Sequence, residues 1–373
     1  MRLRNIVSFH GFYFSAGTKS RSFLQEFQWH FNSPDEVRMK AIAIGGKWIG
    51  EGNPCFIIAE GGLNHNGDPE MAERLIETAA DCGADAVKFQ TYTTEELFSP
   101  DHPDYAKFKK MVFDKKTYQK LRTTAQNRGL VFLSTPFDEA SADLLEAAGV
   151  PAFKIGSGEV THLAFLRFLA EKGKPLILST GMSSLSEVDA AVQTLRKTGN
   201  EDLILLHCVS AYPCPVEQAN VRTITLLRER YQAPVGFSDH TTTDAAAPAA
   251  VALGACVVEK HFTLSRHLPG WDHFFSYDPG QMRRLIATIR ETESALGRSD
   301  KRLLETEQPI RAIARRAIYA RLDLKAGETL TRDNLMVRRP EGPLHADQLD
   351  AVLGKKTSRA RVAGEALRPE DVE

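Results

Sequence analysis

The sequence predicts a closed (β/α)8 parallel barrel, the TIM-barrel fold class, followed by a small β-rich module. Three observations carry that prediction. Eight short apolar runs recur along the middle of the chain, all but the last are followed closely by a helix-like segment, and each ends in a polar or charged residue. Aliphatic and β-branched runs without polar alternation are the mark of strands buried on both faces. Eight of them between amphipathic helices is the count of a closed barrel.

The strands, in order, are CFIIAE (Cys55 to Glu60), AVKFQ (Ala86 to Gln90), VFLST (Val131 to Thr135), AFKIGS (Ala152 to Ser157), PLILST (Pro175 to Thr180), LILLHC (Leu203 to Cys208), PVGFSDH (Pro234 to His240) and CVVEKH (Cys256 to His261). The intervening helices carry their own punctuation. DPEMAERLIETAADCG, from Asp68, has proline in its first turn and glycine at its end, and SLSEVDAAVQTLRKTG (Ser184 to Gly199) closes on glycine in the same way. PGQMRRLIATIRETESALG (Pro279 to Gly297) supplies the last barrel helix. The barrel is thus expected over residues 39–297, a charged linker over 298–310 and the β-rich module over 311–373. In the module KAGETL recurs loosely as VAGEAL (Val362 to Leu367), which predicts a repeated turn. Residues 1–38 read as a dispensable extension, because a hairpin-like KAIAIGGKWIG begins directly after Met39.

At 373 residues, 42% of them apolar and 25% charged, the chain has enough core for a barrel plus a module. A formal net charge of -1 offers no bulk attraction to nucleic acid or to an anionic membrane, so an anionic ligand must be held by a local site. No stretch approaches the ~20 apolar residues of a membrane span. Five scattered cysteines fit reduced thiols in a cytoplasmic protein.

In a barrel of this kind the chemistry gathers at the carboxyl ends of the strands, so Glu60, Lys88, Gln90, Thr135, Lys154, Ser157, Ser179, Ser238, His240, Glu259 and His261 are expected to converge on one mouth. His240 and His261 end adjacent strands, which lie about 4.8 Å apart. Their imidazoles could share a divalent ion, and could equally bond a phosphate or the backbone. Glu259, two residues before His261, shares its inward side and could bond a metal-bound water. Lys88 and Lys154 sit inside apolar runs where an unpaired ammonium is costly. With Thr135, Ser157, Ser179 and Ser238 they describe a phosphate or carboxylate cradle, the alternative being ion pairs with a structural carboxylate such as Glu159. The loop LPGWDHFFS (Leu268 to Ser276) sets Asp272 and His273 among aromatics, as a substrate-contacting loop would.

Taken together, the motifs resemble the sialic acid synthase family, the N-acetylneuraminate synthase-like enzymes that include legionaminic and pseudaminic acid synthases and condense phosphoenolpyruvate with an acylated amino sugar. The resemblance runs from Met39 to Glu373 through AEGGLNHNGD, VKFQT, FLSTPF, FKIGSGE, LSTGM, LLHCVSAYP, GFSDHT and EKHFTL, in that order. The tail resembles the antifreeze-protein-like (SAF, β-clip) module of these enzymes, with MVRRPEGP (Met336 to Pro343) matching its sugar-contacting segment.

The resemblance implies that Lys88, Thr135, Lys154, Ser157, Ser179 and Ser238 hold phosphoenolpyruvate. Ser210 would lie near its carboxylate, where the sialic acid branch commonly has asparagine. His240 and His261 would bind manganese, with magnesium or cobalt as alternatives. Glu60, Gln90, Tyr212, Asp272 and Arg339 would meet the sugar, and Arg339 would reach the partner subunit's barrel in a domain-swapped homodimer. Glu60, with Glu259 as second choice, would activate the water that completes the reaction. The sugar is left open among N-acetylmannosamine, its 6-phosphate and the diacetamido sugars. Two other classes stand beside this reading: a Schiff-base sialate lyase, which needs one desolvated lysine and no metal, and a sugar-binding protein without turnover.

Overall fold

The computed structural model describes residues 40–373, and the expectation for residues 1–38 lies outside them. The chain divides into two compact units between Leu296 and Gly297.

The first unit opens with a hairpin, β1 (Ile42–Ile44) and β2 (Lys47–Ile49), joined by Gly45 and Gly46. Both glycines have positive φ, 57° and 85°, which a two-residue turn of this twist requires and a side chain resists. Eight parallel strands follow: β3 (Phe56–Gly62), β4 (Ala86–Thr91), β5 (Val131–Pro136), β6 (Phe153–Ile155), β7 (Leu176–Ser179), β8 (Leu203–Cys208), β9 (Val235–Asp239) and β10 (Val257–His261). Their hydrogen-bonded order is β5-β4-β3-β10-β9-β8-β7-β6. β5 and β6, at the ends of that order, lie side by side and close the ring. The fold is the expected (β/α)8 barrel.

Strand alternation sorts the side chains into two layers. Phe56, Ile58, Ala86, Val131, Leu133, Ala152, Ile177, Ile204, Leu206 and Val257 fill the lumen, where Ile42, Ile44 and Ile49 of the hairpin join them in one cluster. Their neighbours in sequence, such as Ile57, Val87, Phe132, Phe153 and Val258, pack outward in the larger core that includes the helices. Each fully buried aliphatic or aromatic side chain is worth about 1.5–3 kcal/mol, so the lower barrel is where much of the stability resides.

The helices start where their caps dictate. Asp68 accepts the Glu70 N–H ahead of the helix Pro69–Asp81, and Ser184 and Glu187 form a capping box ahead of Leu185–Arg196. Three of the expected strand ends fall beyond the strand itself. Ser157 lies in a 3-10 turn beyond β6, Thr180 lies one residue past β7, and His240 lies one residue beyond β9.

In the second unit a helix, Gln308–Ala314, occupies the end of the expected linker, and β11 (Ala317–Ala320) pairs antiparallel with β12 (Leu335–Arg338). The rest of the module is held mainly by isolated bridges and turns around a small core that includes Ile318, Leu324, Leu330 and Leu367. The repeated motif gives the same turn twice: Glu328 accepts the Lys325 N–H at 2.9 Å, and Glu365 accepts the Val362 N–H at 3.0 Å. All five cysteines are free and buried, and among the described residues no helix is long and apolar enough to cross a membrane.

Candidate active site

The inward face that is apolar at the lower end becomes polar toward the carboxyl ends of the strands. Continuing the same alternation, Ile58 leads to Glu60, Ala86 to Lys88 and Gln90, Leu133 to Thr135, Ala152 to Lys154, Ile177 to Ser179, and Val257 to Glu259 and His261. These side chains line one cavity of about 160 Å3, together with Ser157, Ser210, Tyr212, Ser238 and His240. Asp272 and Arg339 are not among its lining residues. Asp272 stands at the edge, its Oδ2 3.8 Å from His261 Nδ1. Arg339 belongs to the C-terminal module.

Four charges occupy the cavity floor. Lys88 and Lys154 are only 3% and 2% exposed. Lys88 Nζ lies 2.9 Å from Glu60 Oε2 and 3.7 Å from Glu259 Oε2, and donates to Thr135 Oγ1 at 3.0 Å. Lys154 Nζ donates to Ser179 Oγ at 2.7 Å and to the Ile155 carbonyl at 3.0 Å, and lies 3.8 Å from Glu259 Oε1. The counter-charges are therefore Glu60 and Glu259. Glu159, the structural carboxylate weighed for that role, pairs instead with His162. Ser238 donates to Glu259 Oε1 at 3.1 Å and so orients that carboxylate.

The environment separates the two carboxylates. Burial raises the pKa of Glu60, and Lys88 only partly offsets it. Burial pushes Glu259 the same way, but Lys154 and Lys88 outweigh it and hold its pKa below the ordinary value. Glu259 is thus the committed anion, and Glu60 is the one able to exchange a proton near neutrality. The lysines differ as well. Burial lowers Lys154, whereas for Lys88 the two glutamates overcome burial and raise it.

His240 is oriented by its backbone partner. Its Nδ1 is 2.8 Å from the Val209 carbonyl, an acceptor only, so Nδ1 carries a proton and, in the neutral ring, Nε2 keeps its lone pair. His261, the last residue of β10, has a ring centroid 5.4 Å from that of His240, and its buried Nδ1 has no hydrogen-bond partner. Burial, then the proximity of His240, push its pKa well down, leaving a neutral imidazole. Burial works to lower the pKa of His240, but Cys208 and the Val209 carbonyl outweigh it and raise it. His240 thus offers Nε2 once it gives up a proton, beside the neutral His261 whose buried Nδ1 lacks a partner. Such a pair fits a borderline divalent cation. Among the described residues no group of three or more His, Cys, Asp or Glu side chains is placed to hold an ion alone, so the remaining coordination positions would fall to ligand and water.

The Trp-Asp-His loop divides into two roles. Asp272 faces the site, its pKa raised to about 6 by burial. Gly62, at φ 49°, passes beneath it where a Cβ would come within 2.9 Å of Asp272 Oδ2 and 3.4 Å of Glu60 Oε1. His273 is a structural pin, with Nδ1 2.6 Å from Thr263 Oγ1 and Nε2 3.2 Å from Asn66 Nδ2. Tyr212 packs beside the histidine pair, its ring centroid 4.2 Å from that of His240 and tilted by 42° to it.

Sequence reasoning passed over Cys208, whose Sγ lies 3.8 Å from His240 Nδ1 and lines the cavity. Its parity with the inward Ile204 and Leu206 is the signal that could have found it. It also passed over a buried pair behind the histidines, Asp239 and Lys260, whose partnership depends on strand register.

The chain is similar to known proteins along most of its length. The NeuB family matches residues 75–301, and the SAF domain matches residues 315–373. The N,N'-diacetyllegionaminic acid synthase of Legionella pneumophila is 39% identical over 87% of this chain and 96% of its own. A pseudaminic acid synthase of Campylobacter jejuni is 37% identical over 85% of this chain and 96% of its own. The crystal structure of the N-acetylneuraminic acid synthetase of Leptospira borgpetersenii superposes with a TM-score of 0.70 at 37% identity, covering 73% of this chain and 95% of that one. A barrel mouth of this composition, a family match across most of the barrel and relatives alike over nearly their whole length together place the chain in the NeuB family, with a SAF domain at its C-terminal end.

Proposed function

We propose that the chain is a nonulosonic acid synthase, an enzyme of the sialic acid synthase type that condenses phosphoenolpyruvate with an open-chain acylated amino sugar and water and releases phosphate. The observation that carries this reading is the single cavity in which two buried lysines face two carboxylates of opposed proton affinity beside an imidazole pair.

Lys88 and Lys154 give charge-assisted bonds to the phosphate and carboxylate of phosphoenolpyruvate. Thr135 and Ser179 accept from these lysines, so their own hydroxyl protons are free for the same anion. Ser157 and Ser210 add hydroxyls, and Ser238 joins them through Glu259. Gln90, Tyr212 and Asp272 meet the sugar. A divalent cation, manganese first and magnesium or cobalt as alternatives, held through His240 Nε2 and His261, would supply Lewis-acid polarisation of the sugar aldehyde oxygen.

The methylene carbon of phosphoenolpyruvate bonds to the aldehyde carbon, whose oxygen takes up a proton and becomes a hydroxyl. The electron-poor carbon left on the enol ether is attacked by water, and Glu60 accepts the water proton, as its raised pKa suits. Glu259 is the second candidate for that step. Collapse of the tetrahedral adduct breaks the carbon–oxygen bond to phosphate and leaves a 2-keto acid. Through the family resemblance, Arg339 of a partner subunit would complete the sugar site in a homodimer.

Phosphate release from phosphoenolpyruvate, measured with manganese and a panel of acylated amino sugars, tests reaction and substrate together. Release that depends on one of the sugars is expected, and no release with any of them overturns the reading. The lowered pKa of Lys154 is what a Schiff-base lyase would need, so borohydride trapping with pyruvate is the companion experiment. No covalent label is expected.

A further inference from the structure

The backbone pairing of β9 with β10 ends at Asp239 opposite Lys260. His261 is the last residue of β10 and His240 lies one residue beyond β9, so the pairing does not extend to His240 opposite His261. Side chains take over where the backbone stops. Lys260 Nζ lies 2.8 Å from Asp239 Oδ2 and also donates to the carbonyl of Thr241, while Asp239 Oδ1 accepts the Thr241 N–H at 2.8 Å. Lys260, the residue before His261, thus holds both neighbours of His240. The tie is anchored on the far side too. Lys260 Nζ sits 4.1 Å from the Tyr277 ring centroid, the Tyr277 N–H donates to the His261 carbonyl at 2.8 Å, and the Tyr277 hydroxyl donates to Asp244 at 2.9 Å.

Asp239 and Lys260 are 1% and 2% exposed and, by strand alternation, point away from the lumen that holds the histidines. Stability is a poor reason for such a pair. Its desolvation cost commonly equals or exceeds its attraction, and apolar residues of the same volume would often serve as well. The best-attested use of a buried pair is to specify one arrangement over its neighbours.

We propose that Asp239 and Lys260 are positioning residues that set the separation of the His240 and His261 imidazoles, extending by side chain the ladder that the backbone leaves unfinished. The functional consequence rests on the divalent-cation reading of the pair, whereas the spacing itself does not.

Lys260→Met alone would strand the Asp239 charge, so the informative variant is Asp239→Asn/Lys260→Met. It keeps side-chain volume and the Oδ1 acceptor for Thr241 while removing both charges. Two readouts apply to the full chain: the imidazole separation in a crystal structure of the metal-free variant, and the dissociation constant for manganous ion beside wild type and His240→Ala. A changed separation is expected, with manganese binding weakened about tenfold or more and a melting temperature close to wild type, since outer partners of metal-bound histidines typically act on that scale. An unchanged separation overturns the proposal whatever the affinity. A lowered melting temperature with unaltered separation and affinity would show a purely structural pair and overturn it equally. If wild type and His240→Ala bind manganese alike, the cation reading falls, and the separation still decides the clamp. Asp239→Asn alone, which keeps the Lys260 bond to Thr241, supplies both readouts should the paired variant fail to fold.

Discussion

The two ends of the barrel use the same strands and the same inward face for opposite purposes. At the lower end that face carries Ile58, Leu133, Ile177 and Leu206, closed from water and packed on the hairpin isoleucines. Two residues further along the strands it carries Glu60, Thr135, Ser179 and Cys208. The strands run parallel through both layers, with one shift of register between β3 and β4, at Glu60 to Gly62. What differs is the cost of the side chains. The lower layer lowers the free energy of the fold through burial, whereas the upper layer places lysines and carboxylates where each must find a partner or a ligand. Stability and chemistry are therefore separable along a strand, and substitutions at the two ends should report different things.

The largest separation is expected at the histidines. His240→Ala should abolish metal-dependent turnover while the thermal melt stays near wild type, and full turnover of that variant in the presence of a chelator would remove the metal from the mechanism. Leu133→Ala, in the lower layer, should do the converse. A loss of about 2–5 kcal/mol in denaturant unfolding is expected from the cavity it leaves, with turnover per folded molecule preserved. Lost phosphoenolpyruvate affinity in this variant would show that the layers are not independent.

Lys88→Met and Lys154→Met come next. Each should weaken phosphoenolpyruvate by about 1.5–3 kcal/mol, tenfold or more, through loss of a charge-assisted bond. Unchanged Michaelis constants in both would place the anion elsewhere.

Asp272 gives the smallest effect and a sign that can be checked. Its pKa is raised from 3.8 to about 6, so it becomes an ionised acceptor only above that pH. The Michaelis constant for the sugar should fall as pH rises through about 6, and Asp272→Asn should lack that step. Because the folded chain holds a proton that the unfolded chain releases, the stabilisation tied to that proton is complete below pH 3.8 and is lost as pH rises through about 6. Wild type should thus lose stability relative to Asp272→Asn across that window, which denaturant melts at several pH values would detect.

The eight strands, the caps at Asp68 and Ser184 and the inward direction of Lys88, Lys154 and Glu259 were all legible in the sequence, because each depends on local period or local chemistry. The partners were not. That Lys88 faces Glu60 depends on which strands adjoin and in what register. The same holds for Asp239 and Lys260, twenty-one positions apart in sequence and directly opposite in the sheet. Cys208 was obscured for another reason: a thiol ending an apolar run reads as core unless its parity is followed to the mouth.

Strand alternation also governs how this scaffold can change. Replacing Ser179 or Gln90 alters the mouth and little else. Inserting one residue between Ala86 and Lys88 would swing the lysine into the helix layer and bring an apolar side chain to the floor of the cavity. Variation in length should therefore collect in the loops that leave the strands, after Ser179 and after Cys208, where added residues can reshape the entrance without disturbing the face that the strands present.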